Sequence, residues 1–129
     1  MKTTRNRLLR LAKSRATGTD KETIMQATMV YMTAGGMEEG RELAAHLVKQ
    51  RLCACVNILP GMESFYWWDN DVQNEQEVVL IAKTRASLVP ELIEAVRDVH
   101  SYECPCVVTI PITGGHKDFL DWIGEQTKA

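Results

Sequence analysis

The run Arg51–Trp68, RLCACVNILPGMESFYWW, constrains this chain more than any other stretch. A strand pattern enters a Pro60-Gly61 break, resumes, and ends in Tyr66-Trp67-Trp68, which holds three of the chain's eight aromatic residues. On an extended chain successive side chains point to opposite faces. Trp67 therefore lies on the face opposite Tyr66 and Trp68. One sheet face of a small domain can hide one of these groups, and hiding both requires a second apolar layer. With 129 residues the chain has few helices to spare, so the triplet points to association with another subunit.

The length fits one domain, and 45% hydrophobic with 25% charged residues is ordinary for a soluble globular protein. The net charge of −2 conceals an asymmetry. Lys2, Arg5, Arg7, Arg10, Lys13 and Arg15 precede the first acid, Asp20, whereas the remainder is acidic. An acidic body is a poor partner for a phosphate backbone, so no nucleic-acid partner is expected.

The basic start, with Leu8, Leu9, Leu11 and Ala12 among arginines, admits three readings. It is an amphipathic organellar targeting helix, a segment touching an anionic membrane surface, or a flexible, solvated extension covering residues 1–22. Residues 23–129 then form the folded domain. Arg10 interrupts the only apolar run there, against a secretory signal, and no run approaches the ~20 apolar residues of a membrane span. A cytoplasmic protein is expected, or an organellar one if the basic segment is a transit peptide.

Four cysteines fall as two C-x-C pairs, Cys53/Cys55 and Cys104/Cys106. On a strand, C-x-C puts both sulfurs on one face, ~6.5 Å apart at ~3.3 Å rise per residue. That is too far for two tetrahedral ligands with metal–sulfur bonds near ~2.3 Å unless a bulge or turn closes the gap. Buried thiols acting as small apolar groups and thiolates holding Cu(I) or another soft ion are the two readings.

The element order follows from periodicity. Ala27–Thr33 reads as a strand, and the Gly40, Leu43, Ala44, Leu47, Val48, Leu52 spacing as one helical face. Cys53–Leu59 reads as a second strand, interrupted at Pro60-Gly61 and continued over Ser64–Trp68. Val72–Thr84 follows the Asp69-Asn70-Asp71 turn as a third strand. Leu88, Leu92, Val96 and Val99 mark a second helix with Ser87 as N-cap and Pro90 in its first turn. Cys106–Ile112 is a fourth strand, and Phe119, Leu120 and Ile123 lie on a terminal helix. The result is α+β: a ferredoxin-like βαββαβ antiparallel sheet plus a C-terminal helix. Two helices cover one sheet face, and the largely apolar other face needs a cover.

The runs RLCACVNILPG (51–61), FYWWDNDVQNEQEVVLIAKT (65–84), HSYECP (100–105) and GGHKDFLDWI (114–123) follow one family pattern in order and spacing. That pattern is an R-L-A-A-C-V-N-like strand, a Y-W-W hairpin, a K-T strand end, H-P-Y-E-x-P and a closing Y/F-L-x-W. The chain resembles the CutA family, the divalent-cation tolerance proteins, over roughly residues 27–124. The resemblance implies a homotrimer of ferredoxin-like subunits, similar in architecture to PII signalling proteins, with hairpins interlocked between neighbours. It implies a response to divalent metal ions and copper binding, and no enzymatic reaction. Cys55 sits where the family commonly has cysteine; Cys53, Cys104 and Cys106 are additions, and Ser101 replaces a proline.

The candidate metal ligands are therefore Cys55, Cys53, Cys104, Cys106 and His100. In a ferredoxin-like sheet Cys55 and Cys106 lie on opposite edges, so an ion shared by them is expected between subunits. Trp68, Lys83, Tyr102 and Glu103 are the candidate ligand cleft, with His100, Tyr102 and Glu103 near Lys83 if that strand end lies beneath the second helix. Against this stands a structural role, in which His100 caps helix carbonyls and Glu103 pairs with Lys83. Neither a G-x-S-x-G elbow nor a Cys–His pair marks a nucleophile. Two functions remain: a copper-binding or related cation-binding trimer, and a PII-like trimer that binds a small ligand in an intersubunit cleft and signals to a protein partner.

Overall fold

The computed structural model describes residues 25–129. The basic extension expected over residues 1–22 lies outside them. Strand β1 (Ala27–Ala34) leads to helix α1 (Met37–Lys49), the long hairpin β2 (Cys55–Trp68) and β3 (Asp71–Arg85), a 3-10 turn (Ala86–Leu88), α2 (Val89–Val99), β4 (Val107–Pro111) and α3 (Lys117–Gln126). The sheet order is β2-β3-β1-β4, and every neighbouring pair is antiparallel. Each of the first two helices thus joins strands separated by one intervening strand, the split βαβ arrangement.

Alternation along the strands sorts the core. Val30, Met32 and Ala34 of β1 and Val78, Leu80 and Ala82 of β3 pack with Leu43 and Leu47 of α1 and Leu92 and Val96 of α2 in one buried cluster. Gly40 permits the close approach of α1, since a Cβ there would come within 3.1 Å of Val78 Cγ2. The opposite parity places Met29, Tyr31, Leu59, Ile81, Val108 and Ile110 on the second face, in register with one another. Leu59, Val108 and Ile110 remain about half exposed there (52%, 53% and 52%).

Helix α3 covers only one end of this second face. Trp122 and Ile123 pack there with Ala27 and Ala54, and with half-buried Cys55, Ile112 and Phe119. Arg85 pins the helix: Nε donates to Thr127 Oγ1 at 3.0 Å, and Nη2 donates to Gly124 O.

Several local expectations are corrected. Pro60-Gly61 does not end β2; it forms a register shift between Leu59 and Met62, with Gly61 at φ +79, inside one continuous strand. β2 is an edge strand, where a missing proline N–H is tolerated at a bulge. Asp69 and Asn70, at φ 56 and 61, close the hairpin as the twisted two-residue turn that suits strand pairing. Ser87 does not cap α2, because the 3-10 turn precedes it and Leu88 holds the N-cap position without a side-chain bond. β4 begins at Val107, so Cys104 and Cys106 both lie in the connection before it.

The hairpin tip carries Phe65, Tyr66, Trp67 and Trp68, exposed at 69%, 37%, 74% and 49%. Consecutive register pairs Tyr66↔Gln73, Trp67↔Val72 and Trp68↔Asp71 put Trp67 on the face opposite its two neighbours.

Candidate functional site

The connection 100–106, between α2 and β4, crosses the end of β1 and is fastened by three side chains. His100 N–H donates to Val96 O at 2.9 Å and closes α2. Its imidazole is fully buried. Nδ1 accepts the Tyr102 N–H at 3.1 Å, which places the ring proton on Nε2, and Nε2 donates to Thr33 O at 2.8 Å. His100 therefore ties the helix end to β1.

Glu39, in the first turn of α1, is the second fastening. Its Oε1 accepts the Gly35 N–H at 3.2 Å and its Oε2 accepts the Ser101 N–H at 2.8 Å. Burial pushes its pKa up, but the bonds from Ser101 and Gly35, with His100 nearby, outweigh burial and hold it below the ordinary 4.5. Tyr102 is the third: its hydroxyl donates to Glu77 Oε2 at 2.9 Å. Burial, then the Glu77 carboxylate, push the phenol pKa well above its ordinary value. Gly35, Gly36, Glu38, Glu39, Glu42 and Ser101 line an open acidic recess of about 420 Å³ beside this clasp.

The ligand-cleft residues separate. Lys83 does not lie beneath the end of α2; it pairs with Met29 and Cys55 and donates to Asn57 Oδ1 at 2.6 Å. Lys83 is six residue steps along β3 from Glu77, or about 20 Å, and it is Glu77 that faces Tyr102. The reason is direction: β3 runs antiparallel to β1, so its beginning, not its end, meets the exit of β1. Glu103 is exposed and makes no pair with Lys83, and Trp68 sits at the hairpin tip. Glu77 was the missed residue. The alternation of Glu77 with Val79 and Ile81 within EQEVVLIA was the available signal that it shares their face.

The thiols also separate. Cys53 precedes β2 and is 1% exposed in the main core, whereas Cys55 packs in the cluster under α3, so the pair does not share a strand face. Burial, with Cys55 adding, pushes the Cys53 thiol up to about 12. Burial also raises Cys55, against the opposing pull of Lys83. Burial, then Glu77 and Cys104, raise Cys106. Cys104 is exposed. Cys55, on edge strand β2, and Cys106, just before edge strand β4, are separated by three strand spacings, about 14 Å across the sheet, and by a further offset along the strands. Among the described residues no group of three or more His, Cys, Asp or Glu side chains gathers to hold a metal ion. The described residues of one chain do not fit a divalent cation that requires four or more protein ligands.

The ferredoxin-like βαββαβ sheet with its long hairpin, third helix and clasped connection defines a class of small α+β proteins. The family of CutA1 divalent ion tolerance proteins matches residues 28–126, and the chain belongs to it. It is 42% identical over 106 residues to the protein named CutA 1, chloroplastic, of Oryza sativa subsp. japonica, covering 82% of this chain and 60% of that protein. It is 43% identical over 99 residues to the divalent-cation tolerance protein CutA of Archaeoglobus fulgidus, covering 77% of this chain and 96% of that one. The crystal structure of CutA1 from Oryza sativa superposes with a TM-score of 0.79 at 42% identity, covering 81% of this chain and 95% of that one. The chain thus spans about 60% of the length of its full rice relative.

Proposed function

We propose that this protein is a non-enzymatic, homotrimeric metal-homeostasis protein that takes up copper or a related cation at sites completed between subunits. The observation that carries this is the second sheet face. It exposes Leu59, Val108 and Ile110, and half-buried thiols, Cys55 and Cys106, stand at its two edges. Pairing such faces buries apolar surface and brings edges of different subunits together, where thiols on opposite edges of one sheet acquire new neighbours. Membership of the divalent ion tolerance family supports the cation. The engagement of the His100 nitrogens and the Tyr102 hydroxyl in fold contacts supports a binding role over catalysis.

The folded unit begins near residue 23, with residues 1–22 outside it. We place the protein in the cytoplasm, or in an organelle if the basic segment is a transit peptide, as the chloroplastic name of the rice relative suggests. No helix among the described residues is long and apolar enough to cross a membrane. The test is titration of reduced protein with copper and with zinc, read by native mass. A trimer that gains stoichiometric copper supports the reading, and a species near 14.5 kDa that gains none refutes it. A PII-like signalling trimer is the second reading, favoured by the Tyr102–Glu77 pair at the rim of the same open face. It predicts a small-molecule ligand in the intersubunit cleft and a protein partner.

A further inference from the structure

We infer that Lys83 is the receiving charge at the subunit interface and that it pairs with Glu75 on the hairpin of a neighbouring copy. This rests on the assembly reading above and names the side chains that set the register of that assembly. Lys83 lies on the second face of the sheet, in one row with Cys55, Met29 and Ile110. The next row is Asn57, Ile81, Tyr31 and Val108. The Lys83 ammonium donates to Asn57 Oδ1 at 2.6 Å and forms no ion pair with a carboxylate among the described residues. An ammonium carries three donors, and the Asn57 bond uses one.

This placement sets a condition on whatever covers the face. Leu59, Val108 and Ile110 make the face apolar, and a second copy laid on it takes Lys83 out of water. An ammonium held by one amide oxygen then lacks a charge partner, and the desolvation penalty goes uncompensated. The covering surface must therefore bring an anion to Lys83.

The hairpin is the element that combines apolar surface with anions. From Glu63 to Glu77 it holds five acids and no base, alongside the exposed aromatic run 65–68. Four of the acids are otherwise placed. Glu77 is 9% exposed and accepts the Tyr102 hydroxyl. Asp71 Oδ1 accepts the Val72 N–H, and Asp69 lies in the hairpin turn. Glu63 pairs with Gln76, on the face opposite Glu75. Glu75 is exposed and shares a face with Tyr66 and Trp68. Tyr66 donates its hydroxyl to Glu75 Oε1, which orients the carboxylate and leaves Oε2 to accept from a cation. Glu75 and Lys83 are eight residue steps apart on β3, about 26 Å, so within one chain they cannot meet. Between copies, the acidic aromatic hairpin of one complements the apolar face of the next, with opposite charges at the contact.

The test is subunit exchange between unlabelled and isotope-labelled trimers of the full chain, followed by native mass. The native chain, Lys83→Glu, Glu75→Lys and the double swap Lys83→Glu/Glu75→Lys are compared, each checked by circular dichroism. Each single variant sets two like charges at the contact, and exchange about 100-fold faster, or dissociation to monomer, is expected. The double swap rebuilds the pair with its signs reversed and should return exchange to within about tenfold of native. A single variant that folds poorly is judged by the swap, which carries the same substitution. Single variants that exchange as the native chain does, or a double swap no slower than the singles, overturn the pairing and leave the trimer standing. A native chain that is a monomer removes both. Inorganic phosphate is titrated in parallel: uptake that Lys83→Glu abolishes, with native assembly in Glu75→Lys, makes Lys83 a seat for a small anion and overturns the pairing.

Discussion

Replacing Glu39 by Gln isolates the energy of the clasp that holds the 100–106 connection. Glu39 is 24% exposed at its side chain and accepts two backbone N–H groups, from Gly35 and Ser101. Glutamine keeps one carbonyl oxygen, so one N–H loses its acceptor and meets an amide NH2 instead. Hydrogen bonds to charged groups contribute about 1.5–3 kcal/mol each. Losing one and weakening the other should cost about 2–3 kcal/mol at pH 7, or roughly 10 °C in Tm for a domain of this size. The pH dependence gives the reasoning its sharpest check. The folded-state pKa of Glu39 is lowered from 4.5, so its contribution is complete above that value and is lost as pH falls through the folded pKa. The gap between native and Glu39→Gln should therefore be widest near neutrality and close in acid, where the native carboxyl is also protonated. Urea melts of both proteins at pH 7 and pH 3, at equal concentration because association shifts apparent stability, measure it. Amide exchange at Ser101 and Gly35 should accelerate in the variant at pH 7. A gap that is the same at both pH values, or below about 0.5 kcal/mol at pH 7, would show that Glu39 is a solvated bystander.

On the proposed trimer, Trp68→Asp should weaken assembly, because seating an unpaired charge in an apolar interface costs several kcal/mol; light scattering should show the native chain near three times 14.5 kDa and the variant falling toward one. Arg85→Ala removes the two bonds to Gly124 O and Thr127 Oγ1, with an expected loss of about 2–3 kcal/mol and faster amide exchange confined to α3. A native exchange pattern there would refute the pinning role. Deleting residues 1–22 should leave Tm within about 2 °C, since a shift of 1 kcal/mol would exceed that in a domain of this size; a larger fall would mean that the segment packs on the domain.

The order of elements was legible because it is written in local periodicity. The three- and four-residue spacing through Leu43 and Leu47, and through Leu92 and Val96, marks helices whatever lies across from them. The aromatic triplet was legible for the same reason, since alternation alone divides Trp67 from Tyr66 and Trp68. Element ends were less so. Cys53 reads as the first residue of a strand because Cys, Val and Ile follow it. Instead the chain leaves α1 through Arg51 in a left-handed conformation, and pairing begins only at Cys55. Pro60-Gly61 reads as an interruption between two strand segments, yet an edge strand absorbs it as a bulge within one strand, and whether a strand is an edge is decided by topology.

The site was legible in composition but not in partnership, and the difference is one of range. His100, Tyr102 and Cys106 stand close together along the chain, but the carboxylate that meets Tyr102 comes from β3, 25 residues away. Lys83 and Glu77 are both polar residues on the second face of β3, and only strand direction chooses between them. Once Glu77 takes that position, the clasp accounts for its own polar groups: Glu39 by Gly35 and Ser101, His100 by Thr33 and Tyr102, and Tyr102 by Glu77. These contacts hold the connection in place without involving Cys104 or Cys106. Both His100 nitrogens are thus occupied by the fold, whereas half-buried Cys106 stands outside these contacts, which is why the proposed cation site draws on the thiols and not on His100.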